Sequence, residues 1–405
     1  MMLKETFPLP QNEMQRLLSL SELDLDYSEL SAEFKDLAML AAKVAGTGIS
    51  LINLIDSYTT WTISGIGLEI QQVPREESLC QYTIMGEPLF EVSDLSIDKR
   101  FEDKDFTKPP MSLRYYLGVP LTSHEGHQIG SLCVVDTQPK HMNPEKIEML
   151  KIIADQVINR IQTYQAIKEL KGQLKSSNET KSKVAHDIRG PLAGIIGLSS
   201  IIVQQGNANN LNEVLEFIHL IHKSSKSLLD LADEILTEEQ QGKKLAQDEV
   251  NLRVFKSKLD DLYCGQAKNK GIQLQIQLNE GNSLFPFPKN KLLQITGNLI
   301  SNAIKFTPEN GLVKVELSLI EQEQYHLLNL MILDTGEGIT EAALQHLEEG
   351  NHSSTEGTSG EKGYGFGLDL VKHLVKGLGG TMHICNLEGA GACFKVSIPF
   401  QKTLV

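Results

Sequence analysis

The sequence predicts an α+β protein of several domains, and three observations carry that reading. Between residues 49 and 136, short β-prone runs recur around turn residues; between 144 and 236, apolar residues keep helical spacing; from about 250 onward, strand and helix patterns alternate. The 405 residues suffice for two or three domains, and 40% of them are hydrophobic, which supplies the cores. Lys+Arg of 38 against Asp+Glu of 52 leaves a net charge of -14, which argues against a general binder of nucleic acid or anionic membranes. No stretch approaches the ~20 uninterrupted apolar residues of a membrane span. The N-terminus lacks the apolar core of a signal peptide, so a cytoplasmic location is expected.

Five cysteines, Cys80, Cys133, Cys264, Cys385 and Cys393, show neither CxxC spacing nor an even disulfide framework. That is the usage of reduced intracellular thiols, and no metal cluster is expected of them. Cys385 and Cys393 can oppose each other on a hairpin, with buried free thiols the preferred reading.

Residues 1–21 are expected to be a leader or a short helix. Over 27–45 the apolar positions Leu30, Phe34, Leu37, Leu40, Ala41 and Val44 keep helical spacing until Gly46 and Gly48 stop them. Residues 49–56 and 60–67 then read as one strand pair and 114–121 with 128–136 as another, the second closed by His124-Glu125-Gly126-His127. The result is an antiparallel sheet flanked by helices. Cys80, His124, His127 and Cys133 raise haem, bilin or redox chemistry, but none has a paired ligand at a recognisable spacing, and a core or turn role is favoured.

After Asn143, Pro144 opens a helix in which Leu150, Ala154, Val157, Ile161 and Tyr164 alternate four and three, a coiled-coil seam. It continues through Ile167, Leu170 and Leu174 with one irregular step, and residues 145–181 are assigned to a signalling linker. Such a seam favours a parallel dimer over a plain linker helix, and a break in register lets one domain alter helix rotation in the next. Beyond it, Val184, Ile188, Leu192, Ile195 and Ile202 form an apolar stripe, and His186 lies roughly 200° around the helix from Val184, facing water or a partner. Gly190, Ala193 and Gly197 continue the histidine's own stripe with small residues, so a large reactant can approach the imidazole. An ordinary surface histidine on a close-packing helix has the same pattern. Pro191 should bend the helix just past the site. A Gln-, Asn- and Gly-rich break at 204–212 precedes a second amphipathic helix through Leu215, Ile218, Ile221, Leu228, Leu229, Ala232, Ile235 and Leu236. Two such helices per chain, doubled in a homodimer, make a four-helix bundle. The polar run 237–249 marks a domain boundary.

In the C-terminal third, separated motifs converge. Asn298, Asn302 and Lys305 stand at i, i+4 and i+7 and share one helix face, beside an apolar stripe of Leu292, Ile295, Leu299, Ala303 and Phe306. Two neutral amide oxygens and one ammonium suit Mg²⁺ and phosphate. Asp334, Gly336 and Gly338 end a strand in DxGxG, and a carboxylate there accepts from the adenine amino group but repels the carbonyl of guanine. Gly363, Gly365, Gly367 and Leu368 open an apolar helix, where glycines let backbone N–H groups approach phosphates. Residues 348–363 lie between these motifs, are rich in Gly and Ser, and read as a lid.

These pieces resemble known families. SLINLID, Trp61 with Gly65 and Gly67, PREESLC, YYLGVPL and HQIGSLCVVD, in that order, resemble a GAF domain over about 22–165. The resemblance implies a sheet whose concave face holds a small-molecule ligand of unknown identity, or none. HDIRGPL resembles the phosphoacceptor box of sensor histidine kinases, and the Asn/Lys, DxGxG and GYGFGL motifs resemble the N, G1 and G2 boxes of their GHKL ATP-binding domain, related in fold to the Hsp90 and gyrase ATPases. This second resemblance covers roughly 176–401, with 176–240 the dimerisation and phosphotransfer domain and 247–401 an α/β-sandwich that binds ATP. It implies a protein-histidine kinase in which His186 attacks the γ-phosphate while Asp187 orients the ring or takes its proton. Asn298 and Asn302 are the implied Mg²⁺ and triphosphate contacts, Lys305 a phosphate contact, Asp334 the adenine anchor, and Gly336, Gly338, Gly363, Gly365, Gly367 and Leu368 the nucleotide cradle. The phosphoryl group is expected to pass to an aspartate on the receiver domain of a separate response regulator.

Two departures from the family stand out. Leu347-Glu348-Glu349-Gly350 replaces a phenylalanine-containing box before the lid, and Gly190 replaces the Thr or Asn that helps position water, so weak phosphatase activity is expected. A GHKL-type ATPase is the alternative, but the glutamate that activates water in those enzymes is Asn298 here. A degenerate kinase acting only as a GAF binding module is a third reading, against which the full set of nucleotide residues argues.

Overall fold

The computed structural model describes residues 8–27, 30–205, 214–216, 218–223, 225–226, 229, 249–279, 287–288, 290–339, 357–358, 365–387 and 391–401. Within these, the side chains of 168–169, 171–191, 194, 201, 205, 249, 288, 290 and 401 fall outside the description. The chain divides into two units: Met1–Thr163 with Asp248–Val405, and Tyr164–Gln247.

The first unit begins with α1 (Glu13–Glu22), the short helix of the two N-terminal readings. Leu17 and Leu20 are fully buried, so this segment belongs to the core. Helix α2 (Ser31–Ala45) stops at Gly46, whose φ of 69° closes the last turn onto the Ala42 carbonyl. It buries Phe34, Leu37, Ala38, Ala41, Ala42 and Ala45. Leu40, expected on that stripe, is exposed, because the alanines form the inner face and let the helix lie close on the sheet.

The sheet comprises β1 (Ile49–Ile55), β2 (Thr59–Ile66), β3 (Gln72–Pro74), β4 (Phe90–Val92), β5 (Tyr115–Thr122) and β6 (Gln128–Asp136) in the order β3-β2-β1-β6-β5-β4. Every pairing is antiparallel, as the sequence predicted. Strand β1 is buried on both faces, with α2 on one and the short α3 (Cys80–Thr83) on the other. On the α3 side Leu51, Tyr116, Cys80, Cys133 and Phe101 pack together with Tyr82, Phe90 and Phe106 against them.

Helix α4 (Pro144–Gln205) starts where Asn143 predicts it, with Asn143 Oδ1 accepting from Glu145 N at 2.9 Å. Its helical assignment continues past Pro191. The first positions of the expected seam, Leu150, Ala154, Val157 and Ile161, are buried inside the chain. Arg160 ties this stretch to α2 through the Glu33 carbonyl at 2.9 Å and the Asp36 carboxylate. The chain thus uses within itself a face that the spacing offered to a second copy. Further along, Ile167 and Leu170 are exposed, and the Leu174 side chain lies outside the described residues.

After Asp248 the unit resumes with β7 (Glu249–Val250), α5 (Leu252–Asn269), β8 (Gln273–Leu278), β9 (Phe287–Pro288), α6 (Asn290–Phe306), β10 (Leu312–Glu321), β11 (Tyr325–Asp334), α7 (Gly367–Gly377), β12 (Thr381–Asn386) and β13 (Ala392–Gln401). Five strands form a sheet ordered β12-β13-β11-β10-β8, with only β8 and β10 parallel. Alternate residues of β10 and β11, including Val313, Val315, Leu317, Leu328, Leu330 and Ile332, are buried. They meet Leu292, Ile295, Leu299 and Ala303 of α6 and Leu370, Val371 and Leu374 of α7 in one core, which makes a two-layer α/β sandwich.

The second unit contains the rest of α4 and helical residues at 214–216, 218–223, 225–226 and 229. Leu215, Ile218 and Leu229 are exposed, whereas Leu228, Ala232, Ile235 and Leu236 lie outside the described residues. Among the described residues no helix is long and apolar enough to cross a membrane.

Candidate nucleotide and phosphoacceptor sites

Helix α6 carries the amide pair because its apolar stripe must face the sheet, which leaves Asn298, Asn302 and Lys305 together on the neighbouring face. These three residues are only 5%, 6% and 6% exposed. Asn298 donates Nδ2 to the Gln294 carbonyl at 2.9 Å, which fixes its Oδ1 as the outward acceptor. That oxygen takes the Ser57 hydroxyl, and Asn302 Oδ1 takes the Tyr58 hydroxyl at 3.3 Å. Two amide oxygens presented as acceptors on one face form a donor set that fits a hard cation. Lys305 Nζ lies 4.5 Å from the Phe306 ring centre.

Asp334 terminates β11, as predicted, and is 3% exposed. Its Oδ1 accepts from Gly336 N at 2.9 Å and Ala392 N at 3.1 Å. Burial pushes its carboxyl above the usual Asp range, and these two N–H groups oppose that shift. Gly336 is required by close approach: a Cβ there would stand 2.3 Å from the Phe306 carbonyl oxygen. Gly338 and Gly365 hold φ of 77° and 80°, which L side chains rarely adopt. Gly367 is the first residue of α7, and Leu368 is half-buried against the sandwich core. Gly363 and the Leu347-Glu348-Glu349-Gly350 segment lie outside the described residues, as does the lid apart from Gly357 and Thr358. Thr358 donates its hydroxyl to the Thr307 carbonyl at 2.9 Å, just past α6.

The structure therefore places Asn298 and Asn302 against Ser57 and Tyr58, whose ring also lies against Gly367 at the start of α7, while Lys305 shares their helix and Asp334 ends the adjoining β11. His186, Asp187 and Gly190 fall within α4 in the other unit, and their side chains lie outside the described residues. One positioning residue was not legible in the sequence. Asn386 accepts from Ile339 N at 2.8 Å and donates to Ile339 O at 2.7 Å, pinning the loop after Gly338. Nothing in its spacing signals this, because β12 reaches the loop only through the fold. Cys80 of α3 and Cys133 of β6 are core residues, and His124 and His127 sit at the β5–β6 turn, as favoured above. Among the described residues no cluster of His, Cys, Asp or Glu is placed to hold a metal ion. Cys385 and Cys393 face each other across β12 and β13 as free thiols.

Three family models match: GAF domain over 29–161, His Kinase A (phospho-acceptor) domain over 178–243, and histidine kinase-, DNA gyrase B- and HSP90-like ATPase over 288–402. The chain is 36% identical over 159 residues to a cyclic di-GMP phosphodiesterase of Pseudomonas aeruginosa, covering 39% of this chain and 27% of that protein. It is 30% identical over 246 residues to the autoinducer 2 sensor kinase/phosphatase LuxQ of Vibrio cholerae, covering 59% and 28%. The alignments thus span little more than a quarter of these two relatives. An uncharacterized sensor-like histidine kinase of Rhizobium meliloti is 28% identical over 316 residues, covering 75% and 55%. Among solved structures, histidine kinase ThkA in complex with response regulator protein TrrA matches at 20% identity and a TM-score of 0.30, covering 71% of this chain and 75% of that one.

Proposed function

We propose, for a chain that is by its domain set a GAF-containing sensor histidine kinase, that it uses Mg-ATP to phosphorylate His186 and passes the phosphoryl group to an aspartate of a separate response regulator. The observation that carries this is the grouping of Asn298, Asn302 and Lys305 beside the N-terminus of α7. Magnesium, when bound, supplies charge neutralisation on the triphosphate. Asn298 and Asn302 offer it neutral oxygens, Lys305 neutralises phosphate, and Gly365 and Gly367 keep side chains away from the phosphate path. Asp334, held by two backbone N–H groups, accepts from the adenine amino group, and Gly336, Gly338 and Leu368 shape the base pocket with Gly363 completing the cradle.

In the transfer step a neutral imidazole nitrogen of His186 forms the N–P bond as the bond from the β,γ-bridging oxygen to the γ-phosphorus breaks, and ADP leaves with that electron pair. Asp187 orients the ring and takes its proton. The working domain limits are 22–165 for the sensor, 145–181 for the linker, 176–240 for dimerisation and phosphotransfer, and 247–401 for ATP binding, in a cytoplasmic homodimer. Any small molecule that acts on the chain enters through the GAF unit. His186→Gln should abolish acid-labile labelling from γ-labelled ATP while ATP binding, measured by calorimetry, stays intact. Labelling that survives the substitution would move the acceptor elsewhere.

A further inference from the structure

We propose that the β1–β2 turn of the sensor sheet is an internal occupant of the nucleotide cleft, so that Ser57 and Tyr58 compete with Mg-ATP for Asn298, Asn302 and the space above Gly367. The inference rests on the nucleotide reading of that cleft given above. Hairpin turns normally lie in water. Here Asp56 and Ser57 are 7% and 1% exposed. Ser57 donates its hydroxyl to Asn298 Oδ1, and Tyr58 donates to Asn302 Oδ1 at 3.3 Å. The Tyr58 ring lies over the start of α7, where a Cβ on Gly367 would stand 2.4 Å from Tyr58 Cε2. A cation ligated by the amide pair needs the same oxygen lone pairs, and a phosphate at the helix N-terminus needs the space the ring fills.

The turn is braced from behind and does not rest on one accidental contact. Asp56 N donates to Thr59 O at 2.8 Å and Ser57 N to Asp56 Oδ1 at 2.8 Å, which closes the hairpin. Arg16 reaches the Ile55 carbonyl at 2.5 Å and Arg75 the Asp56 carbonyl at 3.3 Å. The flanks fit as well. Gln72 donates to the Leu262 carbonyl at 2.6 Å, and Lys258 pairs with Asp26 at 2.8 Å. Trp61 stacks on Tyr27 at 5.3 Å and meets Tyr263 edge-on at 6.0 Å between ring centres. An input that shifts the sensor sheet would thereby change the fraction of molecules whose cleft is open, and with it the apparent ATP affinity.

The 405-residue chain has a single tryptophan, Trp61, so its fluorescence reports this surface directly. The test pairs calorimetry of a nonhydrolysable ATP analogue with Mg²⁺ and acrylamide quenching of Trp61. The Ser57→Ala/Tyr58→Ala variant should bind the analogue about tenfold more tightly than the parent. Saturating analogue should raise quenching of Trp61 in the parent. Lys258→Glu, which sets a like charge against Asp26 and leaves the hairpin untouched, should tighten binding in the same direction, and it decides the matter if the turn variant does not fold. Unchanged or weaker binding in folded variants, or quenching indifferent to the analogue, overturns the proposal while leaving the nucleotide reading intact. Absence of binding to parent and variants alike overturns the nucleotide reading and the proposal with it.

Discussion

Asn53, in the middle of β1, donates its amide to Cys80 Sγ at 3.1 Å and Cys133 Sγ at 3.4 Å while its oxygen accepts from Thr62 at 2.8 Å. The two sulfurs therefore share one donor in a buried space. A hydrogen bond from Cys133 outweighs burial and, with smaller help from Ser131, Tyr116 and Ser78, holds the Cys80 thiol below its ordinary range, while Cys133 is held well above its own. Cys133→Ala removes the largest of these donors. Thiolate absorbance followed against pH should then show Cys80 titrating at higher pH than in the parent, and an unmoved titration would assign the shift to other donors. The sequence placed both cysteines in the core but not side by side, because the meeting of α3 with β6 is set by tertiary packing. The same limit applies at the cleft. Asn298, Asn302 and Lys305 were legible because helical periodicity alone puts them on one face. Asp56-Ser57-Tyr58 reads as an ordinary turn, and its composition carries no sign of the surface it is pressed against.

Helix α1 shows how an element escapes its own pattern. Glu13 and Arg16 look like solvent-facing residues, yet both are buried with Arg75: Glu13 pairs with Arg16 at 2.8 Å and with Arg75 at 2.5 Å. Burial alone would raise the Glu13 carboxyl, but Arg75 and Arg16 together hold it down to about 2. A folded-state value below the ordinary 4.5 stabilises the fold fully above that pH, and the contribution is lost as pH falls toward about 2. The shift corresponds to roughly 3 kcal/mol. Glu13→Gln should therefore lower stability by about that amount at neutral pH, and the gap between the denaturation midpoints of parent and variant should close on acidification below 4.5. A gap that persists at low pH would assign the loss to packing. The paired charges hid this core helix from a reading based on apolar spacing, just as the apolar positions of α4 from Leu150 to Ile161 suggested a partner chain although they are buried within this one, where Arg160 bonds to the Glu33 carbonyl of α2.

At the scale of the whole molecule, the unit containing His186 leaves Leu192, Ile196, Val203, Leu215, Ile218 and Leu229 exposed, Val203 at 78%. Scattered apolar residues on a surface need no partner, but this many on the helices of one small unit exceed what a soluble monomer ordinarily shows water. A second copy of the same helices would cover them in the way a four-helix bundle does, and the seam positions Ile167 and Leu170 are also exposed. The full chain should accordingly sediment as a dimer. Ile196→Asp combined with Ile218→Asp places carboxylates where the facing helices would meet, and should raise the dimer dissociation constant on the order of a hundredfold or more. Trp61 lies in the other unit, so its fluorescence should stay unchanged and certify that the sensor and nucleotide domains remain folded. A parent chain that sediments as a monomer, or a double variant that dimerises as tightly as the parent, would mean that these residues are covered by something other than a second copy.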